Sequence, residues 1–354
     1  MPTRPTICLL CGGQSTEHEV SLMSARNVLA AISRDAYEVL VVGIDKGGTW
    51  FHYPDEVFLE NADDACRIAL ASAGRHPVFP CRVDGRCVLA RHDGAPSIPF
   101  DVIFPVLHGI NGEDGAVQGL AQMLGCRCVG CGILASAVCM DKAVAKQILE
   151  YEGIHTAPWI TVIRGETPLS PADVIARLGL PLFVKPANTG SSVGVVKVTS
   201  PEKLQPAVDQ AMLYDRKVLI EQAIAGREIE CAVLGNENPF CALPGEIIPK
   251  VEFYSYEAKY TMADGAQLKA PADLDEETSD RVRALAARAY SILGCRGMAR
   301  VDFFLRPDGS LILNELNTIP GFTKISMYPR LMGVSGTDYP TLIDRLIRLA
   351  MENG

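Results

Sequence analysis

The stretch that most constrains the fold lies near the C-terminus, where Met298-Ala-Arg-Val-Asp-Phe-Phe-Leu-Arg306 and Leu311-Ile-Leu-Asn-Glu-Leu-Asn317 flank the turn residues Pro307-Asp308-Gly309-Ser310. Two apolar runs separated by a short Pro/Asp/Gly turn predict a pair of antiparallel strands. Pairing Arg306 with Leu311 and counting back sets Asp302 opposite Glu315 and Arg300 opposite Asn317. Side chains alternate faces along a strand, so these polar groups would share one face while Val301, Phe303 and Leu316 take the other. Two carboxylates and an amide beside a fixed cation make an oxygen-rich site suited to a hard metal such as Mg2+, which points to phosphate chemistry. A solvated sheet face with a cross-strand ion pair is the competing reading.

A chain of 354 residues with 48% hydrophobic content has material for two or three domains with their own cores. Its net charge of -9, without a long Lys/Arg run, argues against a nucleic-acid partner and fits a small-molecule enzyme better. The apolar run Ile7-Cys8-Leu9-Leu10-Cys11 ends in a Gly-rich turn, which reads as a strand rather than a signal peptide. No stretch is long enough to span a bilayer, so a cytoplasmic location is expected, with no membrane partner. Among the twelve cysteines the densest group is Cys126-x-Cys128-x-x-Cys131. It lacks the paired C-x2-4-C spacing of zinc sites, so reduced, mostly buried thiols are expected.

Residues 6 to 48 read as strand, Gly turn, helix from about Thr16, and strand Glu38 to Ile44. The near-continuous apolar run Phe100 to Leu107 is of the kind buried in parallel sheets, and the loop His108 to Gly115 feeds a helix near Ala116. Residues 1–130 are therefore expected as an open parallel α/β domain, with Tyr53 to Pro99 inserted between its two units. A helix around Ala135 to Glu150 opens a region 131–221, in which strands Pro181 to Pro186 and Val193 to Val198 are joined by Ala187-Asn-Thr-Gly-Ser-Ser192. Residues 222–354 form a third, mixed region ending in an amphipathic helix with Leu342, Leu346 and Leu349 on one stripe.

Gly-Lys never occurs, so there is no P-loop, and Gly12-Gly13 lacks the G-x-G-x-x-G spacing of a dinucleotide turn. A nucleotide must be held in another way. The loop Thr189-Gly190-Ser191-Ser192-x-Gly194, with Lys185 upstream, offers amides, hydroxyls and a cation to phosphates, or is an ordinary turn. Glu221, Gln222 and Glu228 follow a third strand and suit an adenine and a ribose, or a surface strand end.

Taken together, Lys185-Pro, Thr189-Gly-Ser-Ser-Val-Gly194, Ile220-Glu-Gln, Ala299-Arg-Val-Asp302 and Asn314-Glu-Leu-Asn-Thr-Ile-Pro-Gly321 resemble the ATP-grasp ligases, specifically the D-alanine:D-alanine ligases. The likeness extends to Gly12-Gly13-x-Ser15-x-Glu17-His18-Glu19-Val20-Ser21, Leu107-His-Gly109, Gly112-Glu-Asp-Gly115, Met140-Asp-Lys142 and Tyr256-Glu-Ala-Lys-Tyr260, so it covers nearly the whole chain. It implies an ATP-grasp fold: an N-terminal open parallel α/β domain (1–130), then two α+β domains (131–221 and 222–354) that sandwich ATP.

By the same resemblance, Lys142, Lys185, Ser192 and Lys259 contact ATP phosphates, Glu221, Gln222 and the backbone near Ile224 hold adenine, and Glu228 binds ribose. Asp302, Glu315 and Asn317 hold two Mg2+ ions, for which Mn2+ can substitute. Position 222 often carries Lys in relatives, so the detailed contact of Gln222 stays open. Glu19 matches the carboxylate for the first D-alanine's ammonium, linked to Ser191 and Tyr260, although Thr16-x-x-Glu19 also reads as a capping box. His108 orients that substrate, Arg300 and the Gly321 N–H are oxyanion donors, and Ser326 binds the second D-alanine's carboxylate.

The implied reaction is ligation of two D-alanines through a D-alanyl phosphate, for peptidoglycan synthesis by a homodimer. Met327 stands where D-lactate-using relatives often carry a basic residue, and residues 246–270 form a lid latched by Tyr260. A D-alanine:D-lactate ligase, a D-alanine:D-serine ligase and a non-catalytic nucleotide-binding protein are the alternatives.

Overall fold

The computed structural model describes residues 4–166, 170–250 and 266–352. An eight-stranded sheet organises the N-terminal part. Its strands are β1 (Thr6–Gly12), β2 (Glu38–Ile44), β3 (Trp50–Tyr53), β6 (His76–Val83), β7 (Arg86–Arg91), β8 (Ile98–Phe100), β9 (Val102–Pro105) and β10 (Arg127–Cys128). Their spatial order is β10-β9-β1-β2-β3-β6-β7-β8, and β4 (Leu59–Glu60) pairs with β5 (Ala69–Leu70) in a separate ribbon. The strands β10-β9-β1-β2 are parallel, as their unbroken apolar runs predict. Helix α1 (His18–Ala31) packs Leu22, Ala25 and Val28 against Ile7, Leu9 and Cys11. On the other face, α2 (Ala116–Leu124) packs Val117 and Ala121 against Cys8 and Leu10.

The segment 53–99 is not an insertion beside this sheet but its continuation, because β6, β7 and β8 extend it antiparallel from β3. Pro77 and Pro80 inside β6 hide it in the sequence, since proline cannot donate to a ladder and demotes a run to non-strand.

Next come α3 (Ile133–Met140) and α4 (Lys142–Tyr151), and then a four-stranded antiparallel sheet of β11 (Trp159–Ile163), β12 (Leu182–Pro186), β13 (Val196–Val198) and β14 (Lys217–Gln222) in the order β11-β14-β12-β13. Helices α5 (Pro171–Leu178) and α6 (Leu204–Ala211) cover the face carrying Ile160, Val184 and Ile220. Alternation therefore puts Trp159, Phe183, Lys185 and Glu221 on the opposite face.

The C-terminal sheet contains β15 (Arg227–Gly235), β16 (Phe240–Cys241), β17 (Gly245–Pro249), β18 (Ala266–Lys269), β19 (Gly297–Leu305) and β20 (Leu311–Asn317), with β18-β17-β15-β19-β20 as its main path. One face is apolar: Cys231, Val301 and Phe303 pack against Val282 and Ala286 of α7 (Glu276–Ile292). Cys139, Ala145 and Leu149 of α3 and α4 belong to that same cluster, and Leu313 N donates to His155 O at 2.9 Å. The segment 131–156, expected with the central region, thus joins the C-terminal core. A helical pattern reveals a buried face but not which sheet buries it.

Helices α8 (Met327–Val334) and α9 (Tyr339–Glu352) share a core with the N-terminal sheet, where Leu342 and Leu346 belong to the same buried cluster as Ile7, Leu9 and Phe104. The first and last parts of the chain are therefore packed as one body, and the polar pocket opens at their junction. No helix among the described residues is long and apolar enough to cross a membrane. Eight of the twelve cysteines are buried and all twelve are unpaired thiols.

Candidate active site

The hairpin expected near the C-terminus forms as β19 and β20, with Asp302 opposite Glu315 and Arg300 opposite Asn317. The turn end differs. Leu305, not Arg306, pairs with Leu311, and Arg306 N instead donates to Ser310 O at 2.9 Å. A bulge between the pairs Phe303/Leu313 and Asp302/Glu315 absorbs the one-residue difference at Asn314. Leu311, Leu313 and Leu316 stay on the apolar face, while Asn314, Glu315 and Asn317 all line the pocket. Without the bulge, strict alternation after Leu313 would turn Glu315 into the apolar core.

Across this face Arg300 donates to Asp302 through Nε (2.8 Å) and Nη2 (2.7 Å), and Asn317 Nδ2 donates to Asp302 Oδ2 at 3.0 Å. Glu230, in register with Asp302 on the neighbouring β15, lies 3.2 Å from Arg300 Nε and is buried. Burial opposes the charged guanidinium, but Asp302 and Glu230 outweigh it and hold its pKa above the ordinary value. Glu230 was not singled out in the sequence. The alternation Glu228-Ile-Glu230 was its only signal, and nothing in it tells which strand lies alongside.

Glu19 is not in the pocket. Its carboxylate pairs with Lys46 at 2.6 Å on the rim of α1, whereas Glu17, two residues earlier and buried, accepts the Ser191 hydroxyl and lines the pocket. Glu17 precedes α1 as its N-terminal flanking residue, so its side chain projects off the helix end toward the 188–194 loop. Two acidic residues two positions apart fit the same motif, and only the fold separates them. Gly190 matches this contact, because a Cβ there would lie 2.6 Å from Glu17 Oε2. Ser191 (φ 47°) and Ser192 (φ 62°) both adopt left-handed backbone, at about 1–2 kcal/mol each for a residue with a Cβ. Lys142 Nζ donates to Thr189 O at 2.7 Å, and Asn188 is tied to Asp215 by its N–H (2.8 Å) and its Nδ2 (2.9 Å).

A polar seam joins α1 to the loop after β20. Phe322 N donates to Ser24 Oγ (3.2 Å), and Ser24 Oγ lies 3.3 Å from His108 Nε2. His108 Nδ1 lies 3.0 Å from Ile319 O, a carbonyl that can only accept, so the proton sits on Nδ1 and Ser24 donates to Nε2. Burial keeps this imidazole neutral by lowering its pKa. Glu113, also absent from the sequence expectations for individual roles, accepts from Gly109 N (2.7 Å) and Ile319 N (3.3 Å). Burial first, then the Glu17 charge, pushes its pKa up to about 8.

Ser326 begins α8 and accepts from Thr323 N at 2.9 Å; a Cβ on Gly321 would meet its Oγ at 2.7 Å. Met327 is buried beside it, and all three residues line the pocket.

On the central sheet, Lys185 Nζ lies 2.5 Å from Glu221 Oε2, and Lys146 Nζ lies 3.0 Å from Glu221 Oε1. Burial raises the Glu221 pKa, and the Lys185 and Lys146 ammoniums more than reverse it. Glu221 thus holds two ammoniums, the partners that any ligand contact of its carboxylate would share. Gln222 Nε2 donates to Leu178 O at the end of α5 (2.9 Å), a structural bond rather than a ligand-facing group. Ile224 follows β14 and is half-buried, and Glu228 lines the pocket from β15. Lys142 lies 3.8 Å from Glu315, which brings the start of α4 to the hairpin. Tyr256, Lys259 and Tyr260, with most of the expected lid, lie outside the described residues.

Among the described residues no three His, Cys, Asp or Glu side chains form a ready metal cage. Asp302, Glu315 and the Asn317 amide present hard oxygen donors in one pocket. That set fits Mg2+, which binds through one or two carboxylates and fills its other positions with phosphate oxygens and water.

Comparison with known proteins gives a consistent picture. The family model described as D-ala D-ala ligase N-terminus matches residues 6–131, and the one described as D-ala D-ala ligase C-terminus matches residues 148–348. A D-alanine–D-alanine ligase A of Chromobacterium violaceum is 50% identical, over 98% of this chain and 95% of that protein. One of Escherichia coli is also 50% identical, over 97% and 95%. Among solved structures, a D-alanine-D-alanine ligase from Coxiella burnetii superposes with a TM-score of 0.86 at 36% identity, covering 99% of this chain and 94% of that one. A D-Ala:D-Ser ligase from Enterococcus faecalis also reaches a TM-score of 0.86, at 35% identity over 98% and 100%. The backbone alone therefore does not separate the two second substrates.

Proposed function

This chain belongs to the D-alanine–D-alanine ligase family, and from that premise we propose that its junction pocket joins two D-alanines to D-alanyl-D-alanine, with hydrolysis of ATP to ADP and phosphate, for peptidoglycan synthesis. The observation that carries the site assignment is the convergence of Glu17 and Ser191 with Arg300, Asp302, Glu315 and Asn317 in one pocket, from three sheets and their loops.

The first step is attack by the carboxylate of one D-alanine on the γ-phosphorus of ATP, which releases ADP and leaves a D-alanyl phosphate. Glu17, backed by Ser191, holds the ammonium of that D-alanine and so fixes its carboxylate toward the phosphate. Lys142, Lys185 and the backbone of the 188–194 loop receive the phosphates, with Ser192 among their donors. Mg2+ bound by Asp302, Glu315 and Asn317 would neutralise phosphate charge at that side of the pocket. The second D-alanine, with its carboxylate held near Ser326, attacks the acyl carbon through its amine. Arg300 and the Gly321 N–H offset the charge that develops on the carbonyl oxygen, and collapse expels phosphate. The neutral His108 and Glu113 tie the N-terminal loop to the strand that carries these groups. Glu221 and Ile224 serve adenine and Glu228 serves ribose. We further propose three functional units along the chain, 1–130, 131–221 and 222–354, the second lending its first two helices to the core of the third, together with a cytoplasmic homodimer and with Tyr260 and Lys259 closing over the pocket from the lid.

The test is to measure phosphate release from Mg-ATP with D-alanine, D-lactate, D-serine or L-alanine, and to weigh the product. D-alanine-dependent turnover giving the dipeptide is expected. A depsipeptide or a D-Ala-D-Ser product would reassign the second site, and no D-alanine-dependent turnover would refute the ligase reading.

A further inference from the structure

Arg300 lines the pocket with its guanidinium held along one edge. Nε and Nη2 donate to Asp302 at 2.8 and 2.7 Å, Nε also lies 3.2 Å from Glu230 Oε2, an ion-pair contact whose oxygen takes no hydrogen bond while Asp302 holds the Nε–H, and among the described residues Nη1 has no protein partner. Asp302 is the stronger anchor in this structure, through two hydrogen bonds, but it would become the weaker one with Mg2+ bound. It already accepts from Asn317, and on the reading above it also turns an oxygen to the metal. A carboxylate shared in this way cannot keep a full bidentate grip on Arg300. Glu230 stands one strand further from Glu315 and Asn317, because the order is β15-β19-β20. Its backbone is fixed on both sides, opposite Gly245 on β17 and Asp302 on β19, and the residue is only 6% exposed.

We propose that Glu230 is a positioning residue that holds the Nε edge of Arg300, so that Nη1 stays aimed at the reacting carbonyl while Asp302 serves the phosphate side. The inference rests on the ligase reading of the pocket. A cation clamped by a neighbour stabilises the transition state only while its donor points at the place where charge appears, so loosening the clamp lowers kcat more than it weakens binding. Nothing in the hairpin motif itself encodes this role, since the anchor comes from β15.

The experiment compares Glu230→Ala, Glu230→Gln and Arg300→Gln, alone and combined, by steady-state kinetics and thermal melts, with the unsubstituted protein as control. Glu230→Ala should lower kcat about 10- to 100-fold, the range for loss of a residue that orients a functional group, with KM for ATP and D-alanine within about threefold. Glu230→Gln keeps an acceptor at the same reach and should recover kcat to within about fivefold of the unsubstituted protein. In the Arg300→Gln background, Glu230→Ala should add less than about threefold, because the two act through one group. Equal losses in the Gln and Ala variants, a rise in KM alone, or an undiminished effect without Arg300 would each overturn the proposal. Unsubstituted kinetics in Glu230→Ala would sink it while leaving the ligase reading intact. No D-alanine turnover in the unsubstituted protein would sink both.

Discussion

Replacing Glu17 and Glu19 separately by Gln tests the placement of the first substrate, because the two side chains sit in opposite settings. Glu19 pairs with Lys46 at 2.6 Å, and the side chains are 28% and 66% exposed. A pair of that kind contributes about 0–1 kcal/mol. Losing it should move the melting temperature by no more than about 4 °C, at roughly 2–4 °C per kcal/mol for a protein of this size class. It should leave kcat/KM for D-alanine within about twofold, since the pair makes no contact with the pocket. Glu17 is buried at the pocket wall and accepts the Ser191 hydroxyl. A hydrogen bond to a charged group is worth about 1.5–3 kcal/mol. If Glu17 holds the substrate ammonium, removing its charge should cut kcat/KM for D-alanine by about 10- to 150-fold, at 1.4 kcal/mol per factor of ten. Initial rates of phosphate release against D-alanine concentration, with a melt of each variant, give both quantities. A larger activity loss in Glu19→Gln than in Glu17→Gln would refute the reasoning and return the ammonium site to Glu19.

The pH dependence of stability supplies a second check. An acid whose folded pKa is about 8 keeps its proton when the unfolded chain, near 4.5, has lost it. The folded state then binds more protons between those values, so stability falls as pH rises from about 4.5 to 8 and levels off above, by up to about 5 kcal/mol. Glu113→Gln should flatten that slope in a melting series from pH 5 to 9, and parallel slopes would reject the assignment. Glu315→Gln should lower kcat at least about tenfold and shift the Mg2+ requirement to higher concentration while circular dichroism stays unchanged, because even outer partners of a metal site cost 10- to 100-fold. Ordinary activity at ordinary Mg2+ would remove Glu315 from the metal set. Gly190→Ala forces a Cβ to within 2.6 Å of Glu17 Oε2 and should raise KM for D-alanine severalfold with little change in melting temperature. An unchanged KM would show that the loop does not press on Glu17.

The sequence reached the hairpin, its polar face and the parallel core of the first sheet because these depend on local periodicity. Even there, one agreement came from two offsetting departures. The turn pairs Leu305 rather than Arg306 with Leu311, and the bulge at Asn314 restores the expected partners three residues further on. A bulge leaves no periodic trace until the partner strand is known. Glu17 and Glu19 could not be told apart because both belong to one short motif, and the choice depends on which side of the α1 N-terminus meets the 188–194 loop. Glu230 and Lys146 were invisible for a related reason: each acts on a residue far away in the chain, Arg300 and Glu221 respectively. Strand β6 and the allegiance of α3 and α4 were missed where proline blurs the pattern or where an amphipathic face has more than one sheet available to bury it.

Charge balance ties the central sheet to the pocket. Lys146 and Lys185 flank a single carboxylate, Glu221, and all three side chains are at most 12% exposed. Lys142 stands nearby with Glu315 3.8 Å away, a distance at which the pair is loose. Burying cations in excess of their counter-ions is costly, and burial lowers the pKa of Lys146 even with Glu221 beside it. Stability alone would favour a neutral arrangement at this place, for instance a well-packed apolar one. The excess becomes favourable when a polyanion enters, because charges already fixed in a poorly solvated cleft need no reorganisation to meet it. The same logic accounts for the left-handed serines 191 and 192, whose strained backbone keeps the loop beside Glu17 and Lys142. Unbalanced charge and local strain therefore fall on the elements that would meet nucleotide and amino acid, while the apolar faces behind them carry the stability of the fold.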